Sequence, residues 1–241
     1  MHLLIIDGAH MATELETKFG SDHQYTYFEI TEATDEEWQK LKREIKSSIR
    51  SSDVIFHFGP HRYWGMFDLA GKTVFLECSS ASLDEAVWSA NDEQFNPTLF
   101  GFCGLPTLLN RPLLEVSLYN SENVPQLAEI CAVLGTDYRV VQDRVGLVTP
   151  RVVCMIINEA CYTLQEGTAS IQDIDKSMKL GTSYPRGPFE WANLIGVSRV
   201  YDVLEALWQD THDERYKVCP LLKTMYLRGE SFDLQKYGAL H

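Results

Sequence analysis

The feature that most constrains this chain is a change of hydrophobic period part-way along it. Up to Val141, short apolar runs alternate with longer stretches of helical period. Leu3 to Ile6, Tyr25 to Ile30, Asp53 to Phe58, Thr73 to Leu76, Thr98 to Cys103, Leu113 to Leu118 and Tyr138 to Val141 read as strands. Helices are expected from Met11 to about Phe19 and from Ser121 to Leu134, the second closed by Gly135. Between them, Thr34-Asp35-Glu36-Glu37 has the form of a capping box and opens a charged helix to about Ile49. Short apolar strands separated by helices are those of a parallel α/β sheet, because crossover helices cover both of its faces. Right-handed crossovers make such a sheet doubly wound.

After Asp143 the strands stop. Val148 to Glu166 is one long apolar helix halted at Gly167, and Ser170-Ile171-Gln172-Asp173 caps a helix that ends at Gly181. Further helical stretches cover about Pro188 to Leu194, Ser198 to Trp208 and Lys217 to Tyr226. The expected organisation is an α/β domain over residues 1–142 and an all-α domain over 143–241.

With 241 residues, 45% of them hydrophobic, the chain can bury one large core or two modest ones. Its 21 Lys and Arg against 34 Asp and Glu give a formal charge of −13, which repels phosphate polymers and argues against a nucleic-acid partner. No apolar run approaches the roughly 20 residues of a membrane-spanning helix. Asp7 interrupts the N-terminal apolar run where a signal peptide would continue it. Cys78, Cys103, Cys131, Cys154, Cys161 and Cys219 form no CxxC and no paired ligand spacing, so reduced buried thiols are expected rather than a metal site. The expectation is a cytoplasmic protein with no membrane partner.

Asn158-Glu159-Ala160, the run Ile171-Gln172-Asp173-Ile174-Asp175-Lys176-Ser177-Met178-Lys179-Leu180-Gly181, and Pro185-Arg186-Gly187-Pro188-Phe189-Glu190 form a specific combination. From about Asp143 to Glu230 the chain resembles the C-terminal domain of 3-hydroxyacyl-CoA dehydrogenases, which oxidise the 3-hydroxyl of an acyl-CoA with NAD. The resemblance implies a shortened Rossmann-type domain followed by a helical domain. In that family the helical domain carries much of a dimer interface and one wall of an acyl-CoA cleft. The resemblance therefore implies two partners: an acyl-CoA-like small molecule and a second copy of the chain.

The first half resembles the family more weakly. Gly101-Phe102-Cys103 and Pro112-Leu113-Leu114-Glu115-Val116 lie on the catalytic block, Cys78 to Leu83 on a polar loop, and Leu4 to Ala12 on the dinucleotide fingerprint. The family's proton-accepting histidine falls on Cys103, its orienting glutamate on Glu115, its serine on Ala81 and its asparagine on Pro150. Of these four, only Glu115 is retained. A thiol titrates near ~8.5, and a neighbouring carboxylate pushes it higher, so Cys103 is a poor base at neutral pH. A positioned base is worth about 10²–10⁴ in rate and one oxyanion donor roughly 10²–10³, so either loss alone reduces the family reaction to a trace. A nucleophilic Cys103 lacks an evident activating base or cation. His57 and His61 follow a strand and are the remaining candidates for a base brought in by folding.

The fingerprint needs glycines for a tight turn and for close approach to a pyrophosphate. Here its six positions read Asp7-Gly8-Ala9-His10-Met11-Ala12, without any of the three expected glycines, and Asp7 sets a carboxylate where phosphate should be received. By position, Gly8, Ala9, His10 and Met11 would meet the NAD pyrophosphate, and Glu29 would hold a ribose hydroxyl. The span from Ile30 to Asp53 is shorter than the family's. Two readings stay open for His61-Arg62-Tyr63-Trp64-Gly65-Met66-Phe67: a platform for adenine and phosphate, or a loop packing its own aromatics. Ser79, Ser80 and Ser82 read as loop hydrogen-bonders. The sequence thus points to a divergent homologue with lost or altered dehydrogenase activity and a binding or assembly role. The alternatives are an active NAD-dependent oxidoreductase on a 3-hydroxyacyl-CoA such as 3-hydroxybutyryl-CoA, and a different acyl-CoA reaction at Cys103.

Overall fold

The apolar runs of the first half pair as β1 (His2–Ile6), β2 (Gln24–Phe28), β3 (Val54–His57), β4 (Thr73–Glu77), β5 (Thr98–Phe102), β6 (Leu113–Leu118) and β7 (Asp137–Val141). The computed structural model describes residues 1–30, 35–59, 67–90 and 97–235. Among these the strands make one seven-stranded sheet in the order β2-β1-β3-β4-β5-β6-β7. Every neighbouring pair is parallel except β5 and β6. The sheet is thus mostly parallel, as the strand–helix alternation predicts, with one antiparallel pair that it does not predict. Residues 103–112 between these strands form no crossover helix, and without one the next strand returns antiparallel.

Helices cover both faces, as the continuously apolar strands require. On one face α1 (Ala12–Phe19) and α4 (Val124–Val133) contribute Leu15, Phe19, Leu127 and Ile130 to a core around Phe56, Phe75, Phe100 and Phe102. These rings form a ladder across β3, β4 and β5, with Phe56 and Phe75 stacked at 4.8 Å and Phe75 and Phe100 5.1 Å apart. On the other face lie α2 (Asp35–Ser51), which buries Ile45 and Ile49, and α3 (Leu83–Ala90), which buries Leu83 and Ala86. Thr34, which would begin the capping box of α2, lies outside the described residues. All six cysteines are buried and unbridged.

Helix α3 is an element the sequence reading passes over. Ser82 and Glu85 form a reciprocal capping box at its start: the Ser82 hydroxyl accepts from the Glu85 N–H at 3.2 Å, and the Glu85 carboxylate accepts from the Ser82 N–H at 2.7 Å. Asp143, beyond β7, also accepts from the Leu83 N–H at 2.9 Å and from the buried Ser117 hydroxyl at 3.0 Å. One carboxylate thus joins a helix start to strand β6.

The chain divides into two units, Met1–Gly104 with Leu108–Leu147, and the residues from Val148 onward with Leu105–Thr107. The second holds α5 (Thr149–Gln165), α6 (Ile171–Gly181), α7 (Pro188–Ile195), α8 (Val197–Thr211) and α9 (Pro220–Arg228). Ser170 caps α6 by accepting from the Asp173 N–H, as its position predicts. The last helix begins at Pro220 rather than Lys217. Buried Asn158 donates to the Lys217 carbonyl and accepts from the Cys219 N–H, both at 2.8 Å, which holds that segment extended until proline takes the first helical position. None of the described helices is long and apolar enough to cross a membrane.

Candidate functional site

Strand order places a crevice. The chain runs from β1 to β2 on one side, then returns past β1 to β3 on the other, so β1 and β3 diverge at a topological switch point. Ligands of open α/β sheets bind beyond the carboxyl ends of the strands at such a point. Here those ends carry Asp7-Gly8-Ala9 after β1, Glu29 after β2 and Phe58-Gly59 after β3.

The crevice is filled by the chain's own groups. Glu29 accepts the Ala9 N–H at 2.7 Å, at the start of the 3₁₀ turn Ala9–Met11 that leads into α1. Asp7 accepts the Ile30 N–H at 2.5 Å, while its second oxygen is buried with no hydrogen-bond partner. Asp7 adopts φ of 56°, a left-handed conformation that Asp tolerates better than most residues and that glycine adopts freely. Burial raises its pKa above the usual carboxylate range; the Ile30 bond opposes the shift, and nearby Glu29 adds to it. Gly59 passes so close that any side chain there would collide with the Asp7 carboxylate. The Phe58 ring likewise leaves no room for a Cβ at Gly8, and its edge meets His10 at 5.9 Å and Phe102 at 5.3 Å.

The sequence-predicted cofactor residues therefore come together but face other tasks. Gly8 is buried under Phe58, Ala9 gives its N–H to Glu29, His10 is exposed beside Phe58, and Met11 is buried in the core. A dinucleotide's pyrophosphate needs free N–H groups and close backbone approach. Here the N–H of Ala9 is taken, and two carboxylates occupy the turn. A phosphate charge at roughly 4 Å from one carboxylate is opposed by about 4 kcal/mol at an effective dielectric constant near 20. The residues present do not fit the pyrophosphate of NAD. Apart from Phe67, which is buried, the aromatic and basic run from His61 lies outside the described residues.

The candidate catalytic pair sits further along the same sheet. In the antiparallel pairing of β5 and β6, Gly101 faces Ser117 and Phe102 faces Val116. Cys103 follows this pairing by one residue, at the position that an extended register would set opposite Glu115. Cys103 is buried and receives a long contact of 3.9 Å from the Ser79 hydroxyl. Glu115 is only 5% exposed and pairs with Arg111 at 3.8 Å; Arg111 also donates to the Leu108 carbonyl at 2.8 Å. The orienting carboxylate thus faces a guanidinium that sequence reasoning overlooked, although Arg111 stands four residues before it. His57 does not supply the missing imidazole. It lies in register with Leu76, and through it with Gly101, two strands away, buried beside a small apolar hollow lined by Ile6, Ile55, Phe67, Leu69 and Val74. His61 lies outside the described residues. Ala81 is half-buried with no polar side-chain atom, and Pro150 is buried in the first turn of α5 in the other unit.

In that other unit the motif residues act on the backbone. Asp175 accepts the N–H groups of Phe189 at 2.8 Å and Glu190 at 3.1 Å, capping α7. Glu190 in turn receives Arg186 at 2.8 Å and Lys179 at 3.3 Å. Residues 146–238 match the family model described as the 3-hydroxyacyl-CoA dehydrogenase C-terminal domain. Over these residues the chain carries the C-terminal domain of the 3-hydroxyacyl-CoA dehydrogenase family. It is 42% identical over 93 residues to 3-hydroxyadipyl-CoA dehydrogenase of Escherichia coli, covering 39% of this chain and 20% of that protein. It is 38% identical over 94 residues to 3-hydroxybutyryl-CoA dehydrogenase of Bradyrhizobium diazoefficiens, covering 39% of this chain and 32% of the relative. These sequence matches thus span a fifth to a third of the curated relatives. As a fold, the chain is similar to M. tuberculosis FadB2, with a TM-score of 0.70 at 16% identity over 94% of this chain and 93% of that one. The first half therefore has a Rossmann-type sheet fold, and the second matches the family's helical C-terminal domain.

Proposed function

We propose that this chain is a family member whose 3-hydroxyacyl-CoA oxidation is lost or altered, and that it uses the scaffold for binding and homodimeric assembly in the cytoplasm. The single observation that carries this reading is the buried thiol Cys103, just after β5, at the position of the family's base. Taking a hydroxyl proton during hydride removal needs a base within hydrogen-bond reach. The position holds a buried thiol, and the carboxylate that would orient a base pairs with Arg111. An acyl-CoA-like molecule remains the small-molecule ligand most in keeping with the family. Assembly through the helical domain is supported by its exposed apolar residues, among them Leu180 at 75% and Leu227 at 70% exposure.

The test is NADH-linked reduction of acetoacetyl-CoA by the purified full chain, with Glu115→Gln alongside. The proposal expects no turnover above the protein-free rate in either. Saturable turnover that falls in the variant would instead establish an active NAD-dependent oxidoreductase, the reading favoured by the dehydrogenase names of the matched relatives. Loss of thiol labelling at Cys103 on adding an acyl-CoA would point to chemistry at that sulfur.

A further inference from the structure

We infer that Glu29 and Asp7 form an internal latch that occupies the nucleotide position of the sheet, so that the chain excludes dinucleotides by its own carboxylates rather than by the mere loss of glycines. The inference deepens the reading above and can fail separately from it: a chain that binds NADH without turning over would break the latch and leave that reading standing.

Four independent features converge on the latch. Glu29 reaches from the end of β2 to the end of β1 and takes the Ala9 N–H, the donor that a bound phosphate would need. Asp7 reaches the opposite way, from the end of β1 to the Ile30 N–H beyond β2. The two bonds form a reciprocal cross-link between adjacent strand ends, separate from the ladder between His2 and Ile6 and their β2 partners. Asp7 also holds a backbone conformation suited to glycine, and its second oxygen is buried without a hydrogen-bond partner against the close-passing Gly59. Replacement of a fingerprint glycine by drift alone would leave a loosened turn. Here the replacing side chain is built into the turn, and the carboxylate suited to hold a ribose hydroxyl is redirected onto the backbone.

The latch predicts what opens the crevice. Asp7→Gly removes one carboxylate while suiting the left-handed backbone, and Glu29→Ala frees the Ala9 N–H. Calorimetric titration with NADH, and separately with inorganic pyrophosphate, should give no saturable heat for the wild-type chain at millimolar ligand. The folded double variant should bind NADH at least tenfold more tightly than that limit. Glu29→Gln is the control, since its amide oxygen still accepts from Ala9; it should remain closed. Backbone exchange gives a readout independent of ligand: the Ala9 amide should be protected in the wild type and lose protection in Glu29→Ala. Binding of NADH by the wild type, or a double variant that melts cooperatively yet stays closed, would overturn the latch. An Ala9 amide that exchanges equally fast in wild type and Glu29→Ala would do the same, even if the double variant failed to fold.

Discussion

Asp7 shows how much a single residue can conceal. Its sequence position marks it as a carboxylate at a phosphate loop, and this much is legible from the missing glycine. That it bonds to Ile30, takes a left-handed backbone and buries one unpaired oxygen is not, because each fact depends on where β2 ends. The same burial makes a pH prediction. Its pKa is raised, chiefly by desolvation and further by Glu29, against the opposing Ile30 bond, so the folded state holds the proton more tightly than the unfolded chain does. Its contribution to stability is therefore present below the unfolded value of about 3.9 and is lost as pH rises through the higher folded value. Asp7→Asn keeps an acceptor for Ile30 and removes the charge. In denaturant titrations it should exceed the wild type in stability at pH 7, with the difference shrinking toward pH 4. A difference that is constant with pH, or a less stable variant at pH 7, would contradict this account.

At the scale of elements, sequence periodicity locates strands and helices well because burial sets their period. It does less well where one side chain decides an end. The capping box at Ser82 and Glu85 was readable, yet the short α3 escaped because its apolar face is brief. The start of α9 was not readable, since it depends on a residue sixty positions away. Asn158 there satisfies two backbone groups from within the core, which gives Asn-Glu-Ala a structural role. Asn158→Ala should leave a carbonyl and an N–H unpaired at ~1–3 kcal/mol each, so its cost should be about 2–6 kcal/mol by urea unfolding. Exposed Glu159→Ala next to it should stay within about 0.5 kcal/mol of wild type. Equal costs at the two positions would remove Asn158 from this role.

For the whole molecule, the two halves differ in what they match: the second half matches a family model, while the sheet half has the fold of the solved structure. In the helical unit Ser170 and Asp175 accept backbone N–H groups at helix starts, and Glu190 pairs with Arg186. The sheet unit has the Rossmann-type fold, and the ends of its first two strands carry the bonded carboxylates Asp7 and Glu29. The candidate site was legible as a set of substitutions, because each changes a residue type. Their partners were not, because Arg111 beside Glu115 and Phe58 over Gly8 are matters of packing. Retention of the helical unit with its exposed Leu180 and Leu227 predicts a homodimer in sedimentation velocity. Leu180→Asp with Leu227→Asp should shift the folded chain toward monomer; a wild-type chain that sediments as a monomer across the micromolar range would refute assembly.

The central claim is that hydride no longer passes between NADH and an acyl-CoA on this chain, and a single-turnover measurement tests it without requiring a fast enzyme. Protein in excess over both NADH and acetoacetyl-CoA is mixed with them, and the reduced cofactor is followed by absorbance while the acyl-CoA is analysed at the end. The account predicts unchanged NADH and unreduced acetoacetyl-CoA. Stoichiometric loss of NADH matched by 3-hydroxybutyryl-CoA, and abolished in Glu115→Gln, would contradict it.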